Sequence, residues 1–186
     1  MDSHTLPPEL ADVTVKEEDG ADVRLGSVVD DRPLVLAFVR HFGCVFCREQ
    51  VKKLQAEAGR MAGAGADLVV VGSGAPTFVQ GFREETGFDG RVLSDPNGKA
   101  FEAAGMHRGV LSTLNPLTAV KGVFAMLRGT KYGGVQGDNY QQGGVLVIVD
   151  GRVVYEYRSR YAGDEPPIAA MIDALARSKT MVGSPL

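Results

Sequence analysis

Cysteine is scarce in this chain. Two among 186 residues, Cys44 and Cys47, exclude a disulfide framework and a four-cysteine metal site. Charge of one sign is lacking too, since 20 Lys and Arg against 23 Asp and Glu leave a net −3. The loose basic group of Arg152, Arg158 and Arg160 is interrupted by Glu156, so nucleic acid finds no electrostatic footprint. Apolar runs stop at strand length, far below the ~20 residues that span a bilayer, which points away from a membrane. The N-terminal stretch is polar and acidic, without the basic and apolar regions of a secretory signal, and the expected location is cytoplasmic. Around Gly129, Gly133 and Gly134 the glycine spacing fits neither a P-loop nor a dinucleotide fingerprint, and no tightly bound cofactor is expected.

What remains is the composition of one globular domain, 44% hydrophobic and 23% charged, long enough to bury a core without disulfides or metals. The expected organisation is a lead-in over residues 1–11 with Pro7-Pro8, one domain over 12–180, and a tail over 181–186.

The two cysteines stand as Cys44-Val45-Phe46-Cys47, at the junction of two patterns. Before them, Leu34 to Val39 is a continuous apolar run, the pattern of a parallel strand buried on both faces. After them, Cys47, Val51, Leu54, Ala58 and Met61 recur at helical spacing, and Arg48, Lys52, Lys53, Glu57 and Arg60 are expected in water. The first turn of a helix carries unpaired N–H groups and a partial positive charge, which favour thiolate over thiol. Cys44, expected nearer solvent, is therefore assigned attack, and Cys47, half covered, resolution.

Two other readings stand beside this one. The pair is either inert core or part of a zinc site completed by His41 as His-x-x-Cys-x-x-Cys, although a fourth ligand at the usual spacing is missing. In a reducing compartment a lone Cys-x-x-Cys is more plausibly catalytic. Arg40 is a candidate for stabilising a thiolate or oxyanion, against a sheet-end salt bridge. His41 is a candidate proton donor to a leaving group, against a structural histidine.

Elsewhere the segments alternate. Val13–Lys16 and Val23–Leu25 read as a hairpin around Asp19-Gly20, Ala66–Ser73 as a second apolar strand, and Pro76 to about Glu85 as a helix. Arg91–Asp95 reads as a strand, Pro96-Asn97-Gly98 as a turn, and Lys99–Ala104 as a short helix closed by Gly105. Such βα alternation requires helices packed on a mostly parallel sheet. Val145–Val149, Asp150-Gly151 and Val153–Tyr157 then form a hairpin, covered by a last helix over Ile168–Ser178.

This order resembles the thioredoxin fold, an α/β fold with a central mixed sheet, helices on both faces, and a C-terminal hairpin plus helix. More specifically, the chain resembles the peroxiredoxin-like proteins of the alkyl hydroperoxide reductase/thiol-specific antioxidant superfamily, in the branch of the prostamide/prostaglandin F synthases. The resemblance rests on the run from Phe38 to Glu49 with Arg40-His41-Phe42-Gly43-Cys44-x-x-Cys47, on Ser94-Asp95-Pro96, on Gly105-Met106, and on Gln136-Gly137-Asp138 with Gln142-Gly143-Gly144. It implies a thiol oxidoreductase that acts on a peroxide, an endoperoxide or a disulfide and is recycled by an external thiol reductant such as a thioredoxin system. Aligned with the peroxiredoxin pattern Pro-x-x-x-Thr-x-x-Cys, Cys47 takes the place of the attacking cysteine, Cys44 that of the threonine and Arg40 that of the proline. That alignment implies the reverse assignment of roles.

Residues 106–142 form an insertion. Leu117 to Leu127 is expected as a helix after Pro116, followed by a glycine-rich stretch with Lys131, Tyr132, Asp138 and Tyr140. Its position before the hairpin places it beside the cysteine turn, either lining a substrate site or serving as a surface connection.

Overall fold

The computed structural model describes residues 4–29, 32–109, 127 and 133–182. Its strands are β1 (His4–Thr5), β2 (Thr14–Lys16), β3 (Asp22–Arg24), β4 (Leu34–Val39), β5 (Asp67–Gly72), β6 (Arg91–Ser94), β7 (Gly144–Val149) and β8 (Arg152–Arg158). Its helices are α1 (Pro8–Ala11), α2 (Val45–Ala56), α3 (Ala58–Gly63), α4 (Val79–Thr86), α5 (Lys99–Ala103) and α6 (Ile168–Val182). The strands form one sheet in the order β1-β8-β7-β4-β5-β6-β2-β3. β4, β5 and β6 run parallel, and β7 lies antiparallel to β4 on its other side.

β4 is central, and the reason for its unbroken apolar run is visible in its two faces. Val35, Ala37 and Val39 enter the core beneath α2, α4 and α6, while Leu34, Leu36 and Phe38 enter the core beneath α1 and α5. All six residues are buried, so no position is left for a polar side chain. The β7–β8 turn needs positive φ at two successive residues, and Asp150 (φ 50°) and Gly151 (φ 70°) supply it.

Several expected elements differ in detail. The stripe running on to Met61 is two helices rather than one, broken at Glu57 (φ −100°, ψ 0°). Gly59 and Gly63 make the second poor in helix propensity, and Met61 is buried nonetheless. Pro76 opens a 3₁₀ turn over Pro76–Phe78 that leads into α4, which ends at Gly87 (φ 67°). The lead-in supplies β1, paired with β8, and α1, whose Leu10 is fully buried. α6 runs on to Val182. The helix expected from Leu117 falls outside the described residues except for Leu127.

Candidate functional site

β4 ends at Val39, and the following turn carries Arg40, His41, Phe42 and Gly43 to Cys44, the N-cap of α2. The turn closes with the Cys44 N–H donating to the His41 carbonyl at 3.2 Å, and the helix starts with the Arg48 N–H donating to the Cys44 carbonyl at 3.0 Å. Phe42 anchors the turn by packing on Phe82 of α4, with ring centroids 5.2 Å apart. Arg40, His41, Cys44 and Cys47 are thus brought to one place by a strand end and a helix start.

The thiols are free, and each is only 4% exposed. The expectation that Cys44 lies nearer solvent is not met, because a loop covers the turn. The Gly133 N–H donates to the Gly43 carbonyl at 3.0 Å. The contact is so close that a Cβ on Gly43 would lie 2.0 Å from the Gly134 carbonyl oxygen. Arg48 corrects the sequence reading as well. It is buried instead of solvated, 6% exposed, and its Nε donates to the Phe42 carbonyl at 2.9 Å.

The electrostatics separate the two cysteines. The Cys47 thiol, donating to the Cys44 sulfur, lowers the Cys44 pKa below the usual thiol range. Burial opposes this, whereas the Arg40 guanidinium and the backbone N–H groups of Cys47 and Phe46 add to it. Those N–H groups face the sulfur without reaching full hydrogen-bond geometry. Cys47 goes the other way: burial pushes its pKa well up, and its bond and proximity to the Cys44 sulfur push it further. One proton shared by two close thiols gives this split.

Arg40 Nη1 lies 3.9 Å from Cys44 Sγ, Nε donates to the Gln141 carbonyl at 2.9 Å, and Nη2 donates to the Asn139 carbonyl. His41 is buried, and its pKa falls to about 4, first through desolvation and then through the positive charges of Arg40 and Arg48, with Asp138 opposing. It is therefore neutral at neutral pH. Its Nδ1 is buried without a hydrogen-bond partner among the described residues.

Three residues that local patterns left unassigned complete the surroundings. Ser73, at the end of β5, donates to the Arg40 carbonyl and accepts from the Asp138 N–H at 2.9 Å. Asp138 also pairs with Arg108 at 2.6 Å. These bonds fix the middle of the 133–142 loop at Asp138, and the Gln136-Gly137-Asp138 and Gln142-Gly143-Gly144 segments were the signal for it. Asp95 has a structural role, its buried carboxylate accepting from the N–H groups of Lys99, Ala100 and Phe101 and so capping α5. Cys47, Phe46 and Gln50 border a crevice of about 10 Å³, barely the space of one water. A wider cleft, about 590 Å³, lies behind the loop against Ser73, Met106, Arg108, Asp138 and Gln141. Among the described residues no group of three His, Cys, Asp or Glu converges to hold a metal ion.

The chain and its fold have known counterparts. The model of the AhpC/TSA antioxidant enzyme family matches residues 53–161. The chain is 33% identical over 175 residues to the chloroplastic thioredoxin-like protein AAED1 of Arabidopsis thaliana, covering 89% of this chain and 71% of that protein. It is 30% identical over 171 residues to the prostamide/prostaglandin F synthase of Pongo abelii, covering 89% and 86%. It is 27% identical over 179 residues to peroxiredoxin-like 2C of Homo sapiens, covering 90% and 79%. In fold it is similar to the peroxidoxin BcpB of Mycobacterium tuberculosis, with a TM-score of 0.66 at 20% identity over 93% of this chain and 97% of that one. The matched span begins just beyond the two cysteines and takes in β5, β6, the covering loop and the β7–β8 hairpin, and by that match the chain belongs to the AhpC/TSA antioxidant enzyme family.

Proposed function

We propose that this protein is a peroxiredoxin-like thiol oxidoreductase that reduces a peroxide or endoperoxide through a Cys44/Cys47 dithiol–disulfide cycle. The observation that carries the reading is the asymmetry of the two buried thiols, one depressed in pKa and the other raised. With a hydroperoxide the Cys44 thiolate attacks one oxygen of the O–O bond, the bond breaks, and the alcohol or water leaves with a proton, leaving a sulfenic acid on Cys44; with an endoperoxide the opened ring takes up the proton and stays on Cys44 as a sulfenate ester, which Cys47 displaces as the diol in place of water. Cys47 then attacks that sulfur, water leaves, and a disulfide joins the two residues. An external dithiol, such as a thioredoxin, returns two electrons and two protons and restores both thiols. No tightly bound cofactor enters this cycle. A reducing interior such as the cytoplasm supplies the reductant.

Arg40, 3.9 Å from Cys44 Sγ, stabilises the thiolate and the oxygen anion that leaves it. His41, neutral at working pH, serves as a hydrogen-bonding group beside the site rather than as a cationic acid. The burial of both thiols in the reduced state favours a small oxidant over a protein disulfide at the attack step, whereas reduction by a thioredoxin requires that the Cys44–Cys47 disulfide first become exposed.

Stopped-flow oxidation by hydrogen peroxide and by a lipid hydroperoxide, with NADPH-coupled recycling through thioredoxin, tests the reading. Wild type is expected to lose two free thiols per chain and to turn over, and Cys44→Ser and Cys47→Ser are each expected to abolish turnover. At pH 7 the variant retaining Cys44 alkylates fast, because an ordinary thiol near pKa 8.5 is mostly protonated there. Faster alkylation of the variant retaining Cys47 reverses the roles. A disulfide that forms but never recycles makes the protein a redox sensor instead of an enzyme.

A further inference from the structure

Arg48 is a cation placed where a cation is costly. It sits in the first turn of α2, next to Cys47, where the helix carries partial positive charge, and it is almost wholly buried. Removing a guanidinium from water is tolerated only where carbonyls or anions receive it. From the helix its side chain reaches back in the N-terminal direction, as long helical side chains do, and Nε donates to the carbonyl of Phe42 in the redox turn. The same guanidinium meets Gly133 of the covering loop so closely that a Cβ there would lie 2.3 Å from Nη2. Gly133 in turn donates to the Gly43 carbonyl. Helix, turn and loop therefore meet at one buried side chain.

We propose that Arg48 is a positioning residue that clamps the 133–137 loop onto the redox turn and so closes the reduced thiols off from solvent. The consequence for turnover rests on the redox reading of Cys44 and Cys47, but the clamp itself does not. A planar fork can hold a carbonyl in one direction and lie against a glycine in another, whereas an ammonium presents a single point. The clamp also carries a field. Burial comes first in keeping His41 neutral, and the charged groups acting on it are Arg40, Arg48 and Asp138, so loss of the Arg48 charge removes one of the two cations that add to that burial.

The two functions of the residue, shape and charge, separate in the variants Arg48→Lys and Arg48→Gln. Reduced protein is alkylated with iodoacetamide at pH 7, the His41 ring protons are titrated by NMR, and amide exchange in β4 reports the fold. Both variants are expected to alkylate at Cys44 about tenfold faster or more, as expected for loss of a buried hydrogen bond from a charged donor, with β4 protection unchanged. The titration is expected to grade them: released from the loop that lies on it, His41 moves up in Arg48→Lys through lost burial, and further in Arg48→Gln, which also loses the positive charge. A wild-type alkylation rate in Arg48→Lys overturns the clamp, as does faster alkylation accompanied by loss of β4 protection. Where Arg48→Gln does not fold, Arg48→Lys alone decides the question. None of these readouts needs peroxide turnover, so a wild-type protein inactive toward peroxides would count against the proposed function and leave the clamp standing.

Discussion

The redox turn, residues 40–48, and the loop that covers it, residues 133–142, touch along their length but are built in opposite ways. Apart from the Arg40 carbonyl, which accepts from Ser73, the turn is held by near neighbours in sequence: the Cys44 N–H on the His41 carbonyl, Arg48 on the Phe42 carbonyl, and a helix that starts at once. The loop is held by distant ones, with Gly133 on Gly43, Asp138 on Ser73 and on Arg108, and the Gln141 carbonyl on Arg40. A locally built element survives a change in a remote residue, whereas a remotely built one is lost at the point of contact. In this protein the reactivity belongs to the first region and access to the second.

The largest effect is expected where the two backbones meet. Gly43→Ala would set a methyl group against the Gly134 carbonyl oxygen, a backbone atom that cannot rotate away. A loss of about 3 kcal/mol is expected in urea denaturation, the upper part of the range for overpacking, together with faster thiol alkylation. Gly133→Ala meets the end of the Arg48 side chain instead, which can shift. About 1 kcal/mol is expected there, with the turnover rate falling by more than the stability. Equal stability losses in the two variants would mean that the loop contact is soft throughout.

Acid is expected to break the comparison from the side of the turn. Folded His41 titrates near 4 and unfolded histidine near 6.5. Between those values the unfolded chain holds more protons, so stability is fully present above about 6.5 and falls as pH drops toward 4. From pH 7 to pH 5 the expected loss from this group is about 2 kcal/mol, read from urea midpoints at the two pH values. His41→Asn should remove that part of the slope. If its slope matches wild type, another group carries the acid sensitivity.

The smallest effect is expected at the exposed middle of the loop. The Arg108–Asp138 pair is largely solvent-facing on the arginine side, and such pairs contribute about 0.2–1 kcal/mol. Arg108→Gln should cost no more than that, less at high salt, while leaving Cys44 alkylation near the wild-type rate. A large rise in alkylation would shift the control of access from Arg48 to this pair.

Much of the turn was legible in the sequence because its causes are local. The run Leu34–Val39 has no polar position, which only a strand buried on both faces explains, and the stripe Cys47, Val51, Leu54 follows it without a gap. Arg48 was misread because periodicity assigns a charged residue outside the apolar stripe to water. Nothing within the helix announces a carbonyl and a glycine waiting on that side. Ser73 carried no local signal either, since its partners are 33 and 65 residues away. The motifs around Gln136-Gly137-Asp138 pointed to the loop, but not to which of its atoms would meet which residue of the turn.

By itself, then, the sequence determined the alternation of strands and helices, the central place of β4, and the presentation of two cysteines at the start of a helix. Periodicity, turn residues and the spacing of three are properties of neighbouring positions. Only the tertiary structure decided that Cys44 is covered rather than exposed, that Arg48 is buried, and that His41 is neutral. Each of these depends on which distant backbone comes to lie against the turn, and desolvation and charge act through space rather than along the chain.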